Sequence, residues 1–190
     1  MILPIIAYGD PVLRKEGEEI DANYPDLKKL ISDMFETMEH SKGVGLAAPQ
    51  VGLPIRLFIA DTSGFNEDGD QPELDDFRRV FINPILIEES GKEWKFEEGC
   101  LSIPGIREEV SRKPNLIIEY YNENFELIEE KLDGLAARVV QHEYDHIEGV
   151  LFIDKINPLK KQLIKGKLNA IIKGEVKVNY RMKFPLIKSK

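Results

Sequence analysis

One cysteine in 190 residues rules out any disulfide within the chain and leaves Cys100 to packing, reactivity or metal ligation. The lack of cysteine pairs fits a reducing compartment. Long apolar runs are missing too: no window approaches the ~18 residues of a bilayer span. The apolar opening stretch is short, is interrupted by Pro4, and has neither the basic flank nor the small-residue cleavage pattern of a signal peptide. These absences predict a cytoplasmic protein without a membrane partner. With 14 glycines and 11 prolines the chain is neither collagenous nor low in complexity, and 42% hydrophobic against 32% charged residues excludes full disorder. A chain of this length buries roughly 70% of its unfolded surface and needs no covalent staple.

An overall surplus of basic charge is also absent, since the net charge is −8, but the balance is uneven. Residues 1–154 carry 15 Lys and Arg against 33 Asp and Glu, whereas residues 155–190 carry 11 against 1. The basic tail reads either as a solvated face or as a contact for a polyanion such as ribosomal RNA. The expected organisation is a catalytic unit over residues 1–157, with residues 158–190 as a basic helix and extension of the same domain.

Leu27, Leu30, Ile31, Met34, Phe35 and Met38 recur at helical spacing across residues 25–42, with Gly43 as a stop. His40 falls at the end of that helix, where a cation is favourable, and takes no catalytic role. The glycine-rich stretch 43–52 reads as an irregular loop, and the acidic stretch 61–76 as a long, mobile surface loop. Residues 55–60, 81–87, 93–96, 106–110, 116–121 and 125–132 are short β-branched or aromatic runs between turn signals. Trp94 reads as packing.

A second helix is expected from an Asp133 cap to about Glu148, with Leu135, Val139, His142 and His146 on one face. A third opens at Asn157-Pro158 and runs through Lys173, with Leu159, Leu163, Leu168, Ile171 and Ile172 on its apolar side. The alternation Val176, Val178, Tyr180, Met182, Phe184 suggests a final strand. The fold class is α+β: a mostly antiparallel sheet packed around a central metal-binding helix, with an N-terminal and a C-terminal helix.

His142-Glu143-Tyr144-Asp145-His146 sets two imidazoles one helical turn apart, able to reach one metal, with Glu143 placed to touch a bound water. A catalytic site needs a third ligand and an open position. In the metzincin protease pattern that ligand is a histidine, but Phe152 stands at its position. A thermolysin-like site wants a downstream acid, and only Asp154 and Glu175 follow Glu148. Cys100, between Gly99 and Pro104 in an irregular segment beside the sheet, is the remaining soft donor. A thiolate with two imidazoles accepts Fe(II), Zn(II), Ni(II) or Co(II).

Three stretches together resemble the peptide deformylases: Gly43-Val44-Gly45-Leu46-Ala47-Ala48-Pro49-Gln50, Glu98-Gly99-Cys100-Leu101-Ser102 and Gln141-His142-Glu143-Tyr144-Asp145-His146. Tyr8-Gly9-Asp10-Pro11-Val12-Leu13-Arg14 is similar to the family's opening, so the resemblance covers about residues 4–160. It implies a metal-dependent hydrolase that removes the formyl group from the N-terminal formyl-methionine of nascent peptides and releases formate. It further implies Cys100, His142 and His146 as ligands, usually of Fe(II), with Glu143 as acid and base and with Gln50 and Leu101 assisting the reacting carbonyl.

The residues fit that chemistry. Glu143 can take a proton from water and return it to the leaving amine, while the Gln50 amide and the Leu101 N–H can meet a developing oxyanion, each worth about 3 kcal/mol. Val44, Leu101, Leu135 and Val139 are candidates for an apolar methionine pocket. Gly45 leaves its backbone open to a docking peptide, and Arg107 stands at the pocket rim. Arg138 departs from the apolar residue often found near that position and is expected to meet the peptide or to pair with an acid. Glu98 reads as either a ligand-orienting carboxylate or a surface one. The competing readings are a different metal peptidase and a ribosome-associated metal-binding module without turnover.

Overall fold

The computed structural model describes residues 1–65 and 76–187. Nine strands are described: β1 (Ile5–Ile6), β2 (Gly45–Ala47), β3 (Leu57–Asp61), β4 (Arg78–Ser90), β5 (Trp94–Cys100), β6 (Ile103–Arg112), β7 (Asn115–Tyr121), β8 (Leu127–Leu132) and β9 (Met182–Lys183). The helices are α1 (Leu27–His40), α2 (Gly134–Ile147), α3 (Pro158–Leu163) and α4 (Lys165–Lys173). Strands β2, β3, β4, β7 and β8 form one antiparallel sheet in the order β2-β3-β4-β7-β8, β5 pairs with β6 as a hairpin, and β1 pairs with β9 in parallel.

The period-two alternation of β3 divides two cores. Leu57 and Ile59 face α1 and pack with Ile31, Met34, Met38 and Leu46. Phe58 and Ala60 face the other way, into Phe81, Ile118, Ala137, Val140 and Ile147. The sheet therefore lies between α1 and α2, and every residue of β3 is buried. A third cluster joins Ile103, Ile106 and Val110 of β6 to Phe152, Ile164, Leu168 and Ile171, and includes Ala7. No described helix is long and apolar enough to cross a membrane.

Several local expectations are corrected. Gly45–Ala47 is a strand rather than loop, because its backbone pairs with β3, and a single 3₁₀ turn, Ala48–Val51, follows. Asp61 ends β3, and Ser63–Phe65 is a 3₁₀ turn. The rest of the expected acidic loop, residues 66–75, lies outside the described residues. Asp133 stands at the N-cap of α2 but makes no side-chain cap bond, whereas Asn157 does cap α3, accepting from the Leu159 N–H at 2.8 Å.

The expected third helix is interrupted at Ile164, which turns into the core so that Leu168 and Ile171 of α4 can follow it. Leu159 and Leu163 consequently point outward, 67% and 76% exposed, instead of packing. The tail alternation yields only the two-residue β9, since its partner β1 is equally short.

Candidate metal centre

Helix α2 presents His142 and His146 on one face, with ring centroids 5.1 Å apart. Cys100 ends β5, where the β5–β6 register shifts between Gly99 and Cys100 and Cys100 pairs with Ile103 across the turn Leu101-Ser102. A register shift of this kind re-aims a side chain. Cys100 Sγ comes to 3.3 Å from His146 Nε2, and the donor atoms of Cys100, His142 and His146 lie within 4.8 Å of one another. Cys100 is thus a strand residue, not part of an irregular segment.

Glu98, two residues before Cys100 and on the same face of β5, is buried. Its Oε2 lies 2.9 Å from His142 Nδ1, which seats that nitrogen's proton and leaves Nε2 as the nitrogen that would face a metal. Without an ion, burial lowers the His142 pKa, but its contacts with Cys100 and Glu98 outweigh this and hold the ring well above its ordinary value, protonated. Arg112 Nε and Nη2 donate to the same carboxylate at 2.7 and 2.9 Å, and Arg138 Nη1 donates at 2.9 Å. Arg112 Nη1 donates to Asp145 at 2.7 Å. Two guanidiniums thus face two carboxylates. Burial alone would raise the Glu98 pKa, but the hydrogen bonds from Arg112 and His142 outweigh it and hold Glu98 ionised. His146 is pushed well below its ordinary value by burial and by neighbouring His142, so its ring is neutral and able to ligate.

Glu143 is buried, and its Oε2 has no hydrogen-bond partner. Burial, opposed by the charge of His142, pushes its pKa up to about 7. Two soft or borderline donors on α2, one thiol opposite them, and an orphaned carboxylate oxygen beside them form the donor set of an open divalent-metal site. Phe152, at the position where a protease would carry its third histidine, is a buried ring 6.1 Å from the His142 ring centroid. Asp154 is committed to Arg14 and Lys161, and Glu175 is exposed. Neither acid joins the set.

The site opens into a cleft of about 640 Å³. Val44, Gly45, Gln50, Leu101, Arg107 and Val139 line it together with Arg138. Leu135 does not: it lies a further turn from the histidines along α2, outside the cleft wall. Gln50 is 2% exposed; its Oε1 accepts from the Ala47 N–H at 2.8 Å, and its Nε2 lies 3.4 Å from Cys100 Sγ. Arg138, also 2% exposed, donates from Nη1 to Glu98 and the Val110 carbonyl and from Nη2 to the Trp94 carbonyl, its Nε is buried without a partner, and its guanidinium lies over the Trp94 ring. Of the two roles expected for it, pairing with an acid is the one realised. Arg107 is exposed and pairs with Glu97 at 3.1 Å.

A Cβ at Gly45 would stand 2.5 Å from Glu143 Oε1 and 2.7 Å from its Cγ and Cδ. The missing side chain makes room for Glu143 as well as for any docked peptide. Arg112 escaped the sequence reading. Its signal was the inward alternation Val110, Arg112 on β6, which puts a charge where an apolar residue belongs. Tyr180 escaped it as well: its hydroxyl donates to the Leu101 carbonyl at 2.8 Å, and burial raises its pKa to about 12.

The model of the polypeptide deformylase family matches residues 2–162. A peptide deformylase of Christiangramia forsetii is 58% identical, over 97% of this chain and 97% of its own length. The crystal structure of the peptide deformylase from Thermotoga maritima superposes with a TM-score of 0.74 at 42% identity, covering 83% of this chain and 99% of that one. The peptide deformylase of Legionella pneumophila gives 0.80 at 35% identity, over 92% and 98%. With sequence and fold in agreement over most of its length, the chain belongs to the polypeptide deformylase family.

Proposed function

We propose that Cys100, His142 and His146 hold one divalent ion in this chain and that Glu143 moves the proton during removal of the formyl group from formyl-methionyl peptides. The observation that carries this reading is the convergence of the three donors beside a buried carboxylate oxygen without a partner. An ion bound there supplies a Lewis acid and lowers the pKa of a bound water.

Glu143 accepts a proton from water and delivers it to the amine nitrogen as the C–N bond breaks, since an unprotonated amide nitrogen leaves poorly. The Gln50 side-chain amide and the Leu101 N–H meet the charge that develops on the formyl oxygen. Glu98 fixes the tautomer of His142, and Arg112 and Arg138 hold Glu98. Val44, Leu101 and Val139 form the apolar wall for the methionine side chain. Strand β2 is an edge of its sheet, and at Gly45, with Val44 just before it, it borders the cleft, which supports strand-like docking of the peptide. Arg107, exposed at the rim, meets the peptide backbone.

Fe(II) is the ion proposed for the cell, with Zn(II), Ni(II) or Co(II) as replacements that the ligand set accepts. Inactivation in air with oxidation of Cys100 checks the iron. The packing of Ile164, Leu168 and Ile171 with Ala7 and Ile103 supports one domain that includes residues 158–190. A cytoplasmic enzyme acting on nascent chains gains from residence at the ribosome, and the exposed Lys165, Lys167 and Lys173 are proposed to contact ribosomal RNA. Salt-sensitive ribosome binding that survives reversal of these three charges would reject that contact.

The decisive assay is formate release from a formyl-Met peptide by anaerobically purified protein. Wild type turns over and Glu143→Ala does not while keeping its metal. Cleavage of internal peptide bonds without formate release contradicts the reading.

A further inference from the structure

Leu101 and Ser102 are the two residues of the turn that joins β5 to β6, between the paired Cys100 and Ile103. Neither takes a positive φ. The peptide unit between them carries the Leu101 carbonyl and the Ser102 N–H, while the Leu101 N–H belongs to the preceding unit, shared with Cys100; a hold on the Leu101 carbonyl therefore acts on that N–H through the Leu101 Cα. Both carbonyls of the turn are occupied from outside the hairpin. The Ser102 carbonyl accepts from the Tyr8 N–H at 2.8 Å, and the Leu101 carbonyl accepts from the Tyr180 hydroxyl at 2.8 Å.

The two donors flank paired strands. Tyr8 follows β1, Tyr180 precedes β9, and the pairing Ile5↔Met182 locks the two segments side by side. The Ile5 N–H donates to the Arg181 carbonyl at 2.8 Å and the Ala7 N–H to the Lys183 carbonyl at 2.9 Å. Phe184 and Val176 pack on the third core cluster and anchor the segment on either side of Tyr180. Tyr180 lies beyond the residues matched to the family model, yet it lines the cleft together with Leu101.

We propose that Tyr180 is a positioning residue for deformylation: its hydroxyl holds the Leu101 carbonyl, and this fixes the turn that presents the Leu101 N–H to the reacting carbonyl. The inference rests on the role given to Leu101 above. The C-terminal segment is on this view part of the active-site frame. The hydroxyl proton is committed to the turn, so its removal affects the step in which charge develops more than it affects peptide binding.

Tyr180→Phe removes the hydroxyl and keeps the ring. In the full-length, metal-loaded protein, kcat per bound metal is expected to fall about ten-fold while KM for a formyl-Met peptide stays within about two-fold. Hydrogen exchange at Leu101 and Ser102 is expected to rise with and without metal, with the thermal midpoint little changed. Unchanged kcat and unchanged exchange overturn the inference, as does a loss carried in KM alone. Tyr180→Leu, which also removes the ring, is expected to lower kcat at least as far; a Leu variant more active than the Phe variant overturns it too. Glu143→Gln is measured alongside. If that variant retains full turnover, the underlying reading has failed; if it is inactive while Tyr180→Phe behaves as wild type, only the role of Tyr180 has failed.

Discussion

Glu98 and His142 meet through a 2.9 Å contact between Oε2 and Nδ1, and the same carboxylate accepts from Arg112 and Arg138. Glu98→Gln would leave two buried guanidiniums facing a neutral amide, and breaking a buried pair in this way costs about 3–5 kcal/mol. Loss of the partner that orients a ligand lowers metal affinity about 10- to 100-fold. Thermal unfolding and competition with a chelator should show both losses together. Affinity unchanged in Glu98→Gln would mean that His142 is oriented by something else.

Arg112 shows where the sequence stopped being legible, whereas the pairing of Arg138 with an acid was among its expected roles. His142 and His146 announce themselves by their spacing on one helix, and Cys100 by being the remaining soft donor, so the donor set could be read before the fold was known. Arg112 acquires its role from register: it pairs with Trp94 across β5 and β6, and this sets its guanidinium against Glu98 of β5 and Asp145 of α2. The alternation Val110, Arg112 marks the position as inward, but pairing across a hairpin does not show in the sequence which acid it meets. The same holds for Tyr180, whose partner is 79 residues away. The single helix expected across residues 158–173 failed for a related reason: apolar spacing locates a face but does not say where tertiary packing at Ile164 interrupts it.

The high pKa of Glu143 has a sign that metal-free protein can reveal. Burial raises the group from 4.5 to about 7, so between those values the folded state binds more protons than the unfolded chain and stability falls as pH rises. Metal-free Glu143→Gln should therefore match metal-free wild type at pH 4 to 5 and exceed it by about 3 kcal/mol above pH 7. Denaturant unfolding at the two pH values checks this. In the loaded enzyme the ion's charge lowers the pKa, which places the acid limb of kcat/KM below 7, and turnover of Glu143→Gln should fall about 10²- to 10⁴-fold.

Gly45→Ala would place a methyl group 2.5 Å from Glu143 Oε1. The carboxylate has to move, and misplacement of a catalytic group by about 1 Å costs about 10²-fold in rate. Metal content should be unaffected, because the three atoms nearest that methyl all belong to Glu143 and none to a ligand. Steady-state kinetics with metal analysis tests it; full activity in Gly45→Ala would show that the carboxylate has freedom this packing denies it.

Asp154 offers a control away from the chemistry. Partial burial raises its pKa, but hydrogen bonds from Arg14 and Lys161 outweigh this and lower it to about 2 from 3.8. The group contributes stability above 3.8 that is lost as pH falls through about 2. Since these side chains are partly exposed, screening reduces the contribution to about 1 kcal/mol. Asp154→Asn should cost that much at pH 7 and progressively less in acid, with kcat unchanged, as followed by urea unfolding.

X-ray absorption at the metal edge of zinc-loaded protein bears most directly on the ligand set. One sulfur at about 2.3 Å and two ring nitrogens at about 2.0 Å per ion are expected, with the sulfur lost in Cys100→Ser. An ion surrounded only by oxygen and nitrogen in the wild-type protein, or a sulfur signal that survives Cys100→Ser, would contradict the assignment.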